Sequence, residues 1–169
     1  YAGARPYPKP KSKYKPTKAE IEESLRLGRK NRAADIKAAE AGAAAIKFQT
    51  YKANMLASKN SPAYWDITKE TIESQYKLFQ KYDRFWEKEF RLLNSRCDEV
   101  GIEFLSTPFD LASARFLNDL MGAFKISSSD ITNKPFIEYL CDFGKPVILS
   151  TGGSNVVEID RALSWIGSK

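Results

Sequence analysis

The sequence predicts an α/β fold of the (β/α)8 TIM-barrel type, incomplete, with about four strand–helix units. Three observations predict it. Short apolar runs alternate with longer segments of helical period, as parallel strands joined by right-handed crossovers require. Runs such as "PVIL" are nearly all apolar, as strands covered on both faces are. Each run also ends in polar groups, at the end where barrel enzymes build their sites, whereas a doubly wound sheet would gather them at one switch point. A closed barrel typically needs about 250 residues. At 169 residues the chain reads as part of one.

The elements follow in order. Residues 1–18 form a basic, proline-rich tail, and 19–169 the partial barrel domain. Thr17 and Glu20 have capping-box spacing, and a helical pattern runs through Ile21, Leu25 and Ile36 to Gly42, with Gly28 as an interruption. A strand over 44–49 comes next. The irregular stretch 50–69 has the length that marks functional loops in compact domains. Residues 70–99 read as helix in two pieces around Asp83, closing at Gly101. Strand 102–106 leads to a helix over 111–120 capped by Asp110. Strand 122–127 precedes a helix that opens at Asn133, with Pro135 in its first turn. Strand 146–150 precedes a last helix from about Asn155, with Glu158 at capping-box spacing.

Composition narrows the function classes. The net charge of +6 suggests a nucleic-acid binder, but its distribution does not. Six basic side chains and no acid lie in residues 1–18, leaving 21 basic against 21 acidic residues in the body. A phosphate-binding surface should extend over the folded part as well. The tail is thus either a solvated arm or one that touches a polyanion or a partner subunit. No apolar run approaches the ~18 residues needed to cross a bilayer, and no signal peptide is legible. Cys97 and Cys141 have no close spacing, so a reducing cytoplasm is the simplest compartment. The chain has no histidine, which removes the commonest metal ligand and general base.

The strand ends carry the chemistry. "IKFQ" puts Lys47 and Gln49 on one face, with Phe48 on the other. "FKISSSD" supplies Lys125, Ser127, Ser128, Ser129 and Asp130; "LSTP" supplies Ser106 and Thr107; "LSTGG" supplies Ser150, Thr151 and two glycines. Two lysines, hydroxyls and glycine-freed amides at one rim suit a small anion carrying phosphate or carboxylate. The plainer alternative is that the lysines snorkel and the hydroxyls cap helices. A third is that a desolvated lysine forms a Schiff base, as in aldolases.

"AGAAAIKFQTYKA", "SQYKLF", "GIEFLSTPFD", "FKISSSDITNKPFIEYL" and "GKPVILSTGG" closely resemble the sialic acid synthase family, over about 140 residues from Leu25 to Ile166. "SPAYWDITKE" looks most like the branch that makes legionaminic-type sugars. The family condenses phosphoenolpyruvate with N-acetylmannosamine or a related N-acetylated amino sugar to a nine-carbon 2-keto acid. The resemblance implies that Lys47, Thr107, Lys125, Ser128 and Ser150 grip phosphoenolpyruvate, with Gln49 beside them in reach of either substrate. It gives catalytic parts to Lys47, Lys125 and Asp130, the last standing where many members carry a proton-handling glutamate. It also implies a divalent metal (Mn or Mg), a bacterial cytoplasmic setting and a homodimer.

Some family features find no match here. The first barrel strand with its Asn-His motif is absent from "YAGARPYPKPKSKYKP". The metal-binding histidines and the antifreeze-like domain that completes the partner's site also have no counterpart. The chain therefore reads as a fragment, inactive by itself, of a phosphoenolpyruvate-dependent transferase. The alternatives are a Schiff-base aldolase acting on a small keto acid and a non-catalytic barrel remnant with a basic binding tail.

Overall fold

The computed structural model describes residues 37–168. The tail and the capping box at Thr17 and Glu20 lie outside the described residues. Of the first predicted helix only residues 37–40 are described as helical, and Gly42 closes that turn with φ +77°.

Strand β1 (Ala45–Thr50) pairs in parallel with β2 (Glu103–Pro108), with Ile46 opposite Phe104 and Gln49 opposite Thr107. Strand β3 (Phe124–Ile126) pairs in parallel with β4 (Val147–Leu149), with Lys125 opposite Ile148. The sequential order expected from the sequence is kept, since β2 packs beside β3. The hydrogen-bonded ladder, however, is two pairs rather than one run of four strands. Met121 explains part of the seam: its Sδ accepts the Ser106 backbone N–H at 2.9 Å. Strands β1 and β2 are displaced by a residue or two from their predicted limits, β2 continuing to Pro108, while β3 and β4 are each shorter than predicted.

Helices follow the strands. The 50–69 segment contains one short turn, α1 (Ala53–Leu56). The two-piece helix is α2 (Gln75–Tyr82) and α3 (Glu87–Val100), broken at Asp83 as predicted. It starts five residues later than predicted, because Ser74 is held in an antiparallel bridge to Pro62. Gly101 ends α3 in the left-handed region at φ +74°, where glycine avoids a steric cost. Helix α4 (Leu111–Leu117) is capped by Asp110, α5 (Lys134–Cys141) by Asn133, and α6 (Val156–Gly167) by the Asn155–Glu158 box. All three caps are those the sequence predicts. Helix α4 ends three residues early, its chain leaving through hydrogen-bonded turns at Asp119 and Leu120.

The core lies between the strands and the helices. Phe104 of β2 stacks on Phe48 at 5.5 Å and meets Phe90 of α3 at 6.4 Å. Phe90 in turn meets Phe116 of α4 at 6.1 Å. Phe124, Ile126, Ile137 and Leu140 continue this core under β3. The opposite side of the strands is different in kind: Lys47, Gln49 and Ile148 are exposed there. Apolar side chains on one face and cations on the other leave the polar face for chemistry.

Candidate active site

In β1 the alternation sends Ile46 and Phe48 toward the helices and Lys47 and Gln49 to the other face. Register then sets Thr107 beside Gln49 on that face. In β3, Phe124 and Ile126 are fully buried in the core, so Lys125 between them takes the cationic side. Its Nζ donates to the Ile126 carbonyl at 2.6 Å. Burial, and secondarily the charge of Lys47, pull the Lys125 amine below the usual lysine range. Lys125 on β3 therefore feels the charge of Lys47 on β1, with β2 between the two strands.

The loops beyond the strands add the rest. Ser150 follows β4 and donates its N–H to the Ile126 carbonyl at 3.1 Å. A single 3-10 turn, Ser128–Asp130, follows β3. The Gly152 backbone passes so close that a methyl added there would stand 3.8 Å from Ser128 Oγ. Ser128 and the 150–153 turn thus share one corner. Gly153 takes φ +73° in that turn, which Ser154 closes by donating to Thr151 O at 3.3 Å. Burial raises the Asp130 carboxyl above the usual carboxylate range, while hydrogen bonds from Asn133 and Ser129 pull it back in part. Its Oδ2 is buried and makes no hydrogen bond to the described residues.

Capping accounts for some of the hydroxyls and not others. Ser127 accepts the Ser129 N–H at 3.4 Å, so it caps the 3-10 turn. Ser106 points to the helix side, where its Oγ lies 2.6 Å from Thr50 Oγ1 in a fully buried pair. The two hydroxyls of "LSTP" therefore part company: Ser106 ties β2 to β1, and Thr107 stands on the face of Gln49. Asp110 is structural, accepting from Ser113 N at 2.8 Å and Ser113 Oγ at 2.6 Å. One residue that sequence reasoning used only as a helix break is Asp83. Its carboxylate accepts the Ala53 N–H at 2.9 Å, anchoring the segment that leaves β1. No local pattern betrays a bond between residues 30 positions apart.

Among the described residues no group of three or more His, Cys, Asp or Glu could hold a metal ion.

Residues 36–169 match the NeuB family. The chain belongs to that family. It is 42 % identical over 132 residues to an N,N'-diacetyllegionaminic acid synthase of Campylobacter jejuni, covering 75 % of this chain and 39 % of that protein. The synthase of the same name from Legionella pneumophila is 34 % identical, covering 76 % and 37 %. A solved N-acetylneuraminic acid synthetase of Leptospira borgpetersenii, in complex with citrate, superposes with a TM-score of 0.68 at 33 % identity. That match covers 88 % of this chain and 46 % of the synthetase. This NeuB-family chain thus spans less than half the length of these relatives, and its fold is an incomplete (β/α)8 barrel of the sialic acid synthase type. The relatives named are sugar acid synthases.

Proposed function

We propose that this chain supplies the phosphoenolpyruvate-gripping part of a synthase that joins phosphoenolpyruvate to an N-acetylated amino sugar, forming a nine-carbon 2-keto acid. The observation that carries the reading is the pair Lys47 and Lys125, set on one face of β1 and β3, with the Lys47 charge acting on the half-buried Lys125. Phosphoenolpyruvate carries phosphate and carboxylate on three carbons; two lysines supply countercharge, and the reading adds Thr107, in register with Gln49, and Ser128 and Ser150 of the neighbouring turns.

In this reading C3 of phosphoenolpyruvate attacks the sugar's aldehyde carbon and C2 becomes electron-poor. Water adds at C2, and phosphate leaves with its C–O bond broken. Lys47 and Lys125 hold the phosphate and carboxylate, and Gln49 orients either substrate from the edge of β1. Asp130, whose carboxyl holds its proton more firmly than a solvated aspartate, moves the proton of the attacking water. The divalent metal implied by the resemblance has no group of three or more His, Cys, Asp or Glu ligands among the described residues. The names of the Campylobacter and Legionella relatives carry two N-acetyl groups. A di-N-acetylated amino sugar is therefore the acceptor to test beside N-acetylmannosamine. A cytoplasmic homodimer belongs to the same proposal. No described helix is long and apolar enough to cross a membrane.

One observation favours a second reading. A lysine with a lowered pKa is what a Schiff-base aldolase requires, and Lys125 has one. Borohydride separates the two. With pyruvate as the keto substrate, an aldolase becomes covalently reduced at Lys125 or Lys47, and a synthase stays unmodified. Turnover of phosphoenolpyruvate by the full-length protein without borohydride trapping supports the synthase; trapping without phosphate release overturns it.

A further inference from the structure

We infer that Asp83, which lies on none of the strands, is a positioning residue for the β1 edge of the site. The inference rests on the synthase reading. Asp83 sits at the C-terminal end of α2, in the break before α3. From there it holds the segment leaving β1 at two points. Its Oδ2 accepts the Ala53 N–H at 2.9 Å, and its carbonyl accepts from Lys52 Nζ at 2.5 Å. The Lys52 ammonium also lies 5.4 Å from the centre of the Trp86 ring, at the start of α3.

The segment needs this hold. Helix α1 is a single turn, and its N-cap residue Lys52 makes no side-chain cap bond. One turn of helix does not sustain itself, because nucleation costs more than one hydrogen bond returns. Asp83 supplies from outside the acceptor that the turn lacks. Tyr51, next to it, packs its ring against Phe79 of α2 at 5.5 Å and Phe109 at 6.1 Å. Phe109 follows β2, and its N–H bonds Thr50 O at 3.2 Å. Burial, then the nearby Asp83 carboxylate, raise the Tyr51 phenol above its usual range, as expected for an anion close to the ring. One cluster thus ties the ends of β1 and β2, and with them Gln49 and Thr107, to the α2–α3 break. Ala53 is only four residues past Gln49 and is 1 % exposed, so a shift there has little slack to absorb it.

The test uses the full-length protein with phosphoenolpyruvate and an N-acetylated amino sugar. Misplacing a binding group by about 1 Å can cost up to ~100-fold, so Asp83→Ala should lower kcat/KM for phosphoenolpyruvate by roughly 10- to 100-fold. Asp83→Asn keeps an acceptor for Ala53 N–H and should restore most of the loss. Arg91→Ala is the comparison. It cuts bonds of similar length, to Glu87 at 2.7 Å and Asp119 at 3.2 Å, with no tie to the rim. It should lower the melting temperature and leave kcat/KM unchanged. If Asp83→Ala does not fold, Lys52→Met carries the test, since it cuts the second tether and keeps the aliphatic stem. Unchanged kcat/KM in these variants, or losses that merely follow melting temperature in all of them, overturns the positioning role. A parent protein that turns over no phosphoenolpyruvate overturns the synthase reading, and the positioning role falls with it.

Discussion

Lys125 is where burial and charge meet most sharply. Desolvation and the Lys47 charge both disfavour its ammonium form, so Lys125 gives up its proton more readily than a lysine in water. A bound phosphate reverses that balance. Phosphoenolpyruvate binding should therefore take up protons at alkaline pH, and affinity should fall as pH rises through the lowered Lys125 pKa. Calorimetry in buffers of different ionisation enthalpy checks this, and Lys125→Ala should abolish the uptake. Asp130 has the opposite sign. Its raised pKa contributes stability that is present at low pH and lost as pH rises through the folded value. Asp130→Asn should accordingly gain in melting temperature relative to the parent as pH rises above the ordinary aspartate value of about 4. At Thr107 the separating variant is Thr107→Val. A hydroxyl on a phosphate oxygen is worth about 1.5–3 kcal/mol, so the loss should weaken phosphoenolpyruvate binding ~10- to 150-fold. An unchanged Michaelis constant with a lower melting temperature would return Thr107 to a structural part. The faces of Lys47 and Gln49 were legible because a strand alternates with period two. The division between Ser106 and Thr107 was not, because it depends on Thr50 reaching across from β1. Asp83 was hidden for the same reason: its partners Lys52 and Ala53 lie about thirty residues away.

At the scale of elements, local chemistry was the better guide. Asp110, Asn133 and Asn155 all accept a backbone N–H where cap spacing placed them. Asn155→Ala should cost about 1 kcal/mol by removing one half of a reciprocal box. Gly101 offers a sharper test, since a methyl there meets no atom within 4 Å. Only the φ of +74° opposes it, so Gly101→Ala should destabilise by about 1–2 kcal/mol in denaturant titration. What local patterns missed were events between elements. The Pro62–Ser74 bridge delays α2, and the Met121 sulfur takes the N–H that Ser106 turns toward β3. Neither leaves a signature in any short window of sequence.

At the scale of the whole molecule, parallel strands in chain order with helices on one side were legible from strand–helix alternation together with the polar groups at each strand end, and the family agrees with them. The exposed face that carries Lys47, Gln49 and Ile148 shows why the arrangement is a site in part. Two lysines and a carboxyl held above its usual pKa are the groups that the proposed anion site would use. The central claim is that these strand ends serve phosphoenolpyruvate condensation with C–O cleavage. The most direct measurement follows oxygen-18 placed in the bridging position of phosphoenolpyruvate, with the full-length protein and an N-acetylated amino sugar. The account predicts a nine-carbon 2-keto acid, with all of the label in inorganic phosphate. Label retained in the keto acid, or pyruvate reduced onto Lys125 by borohydride with no phosphate released, would contradict it.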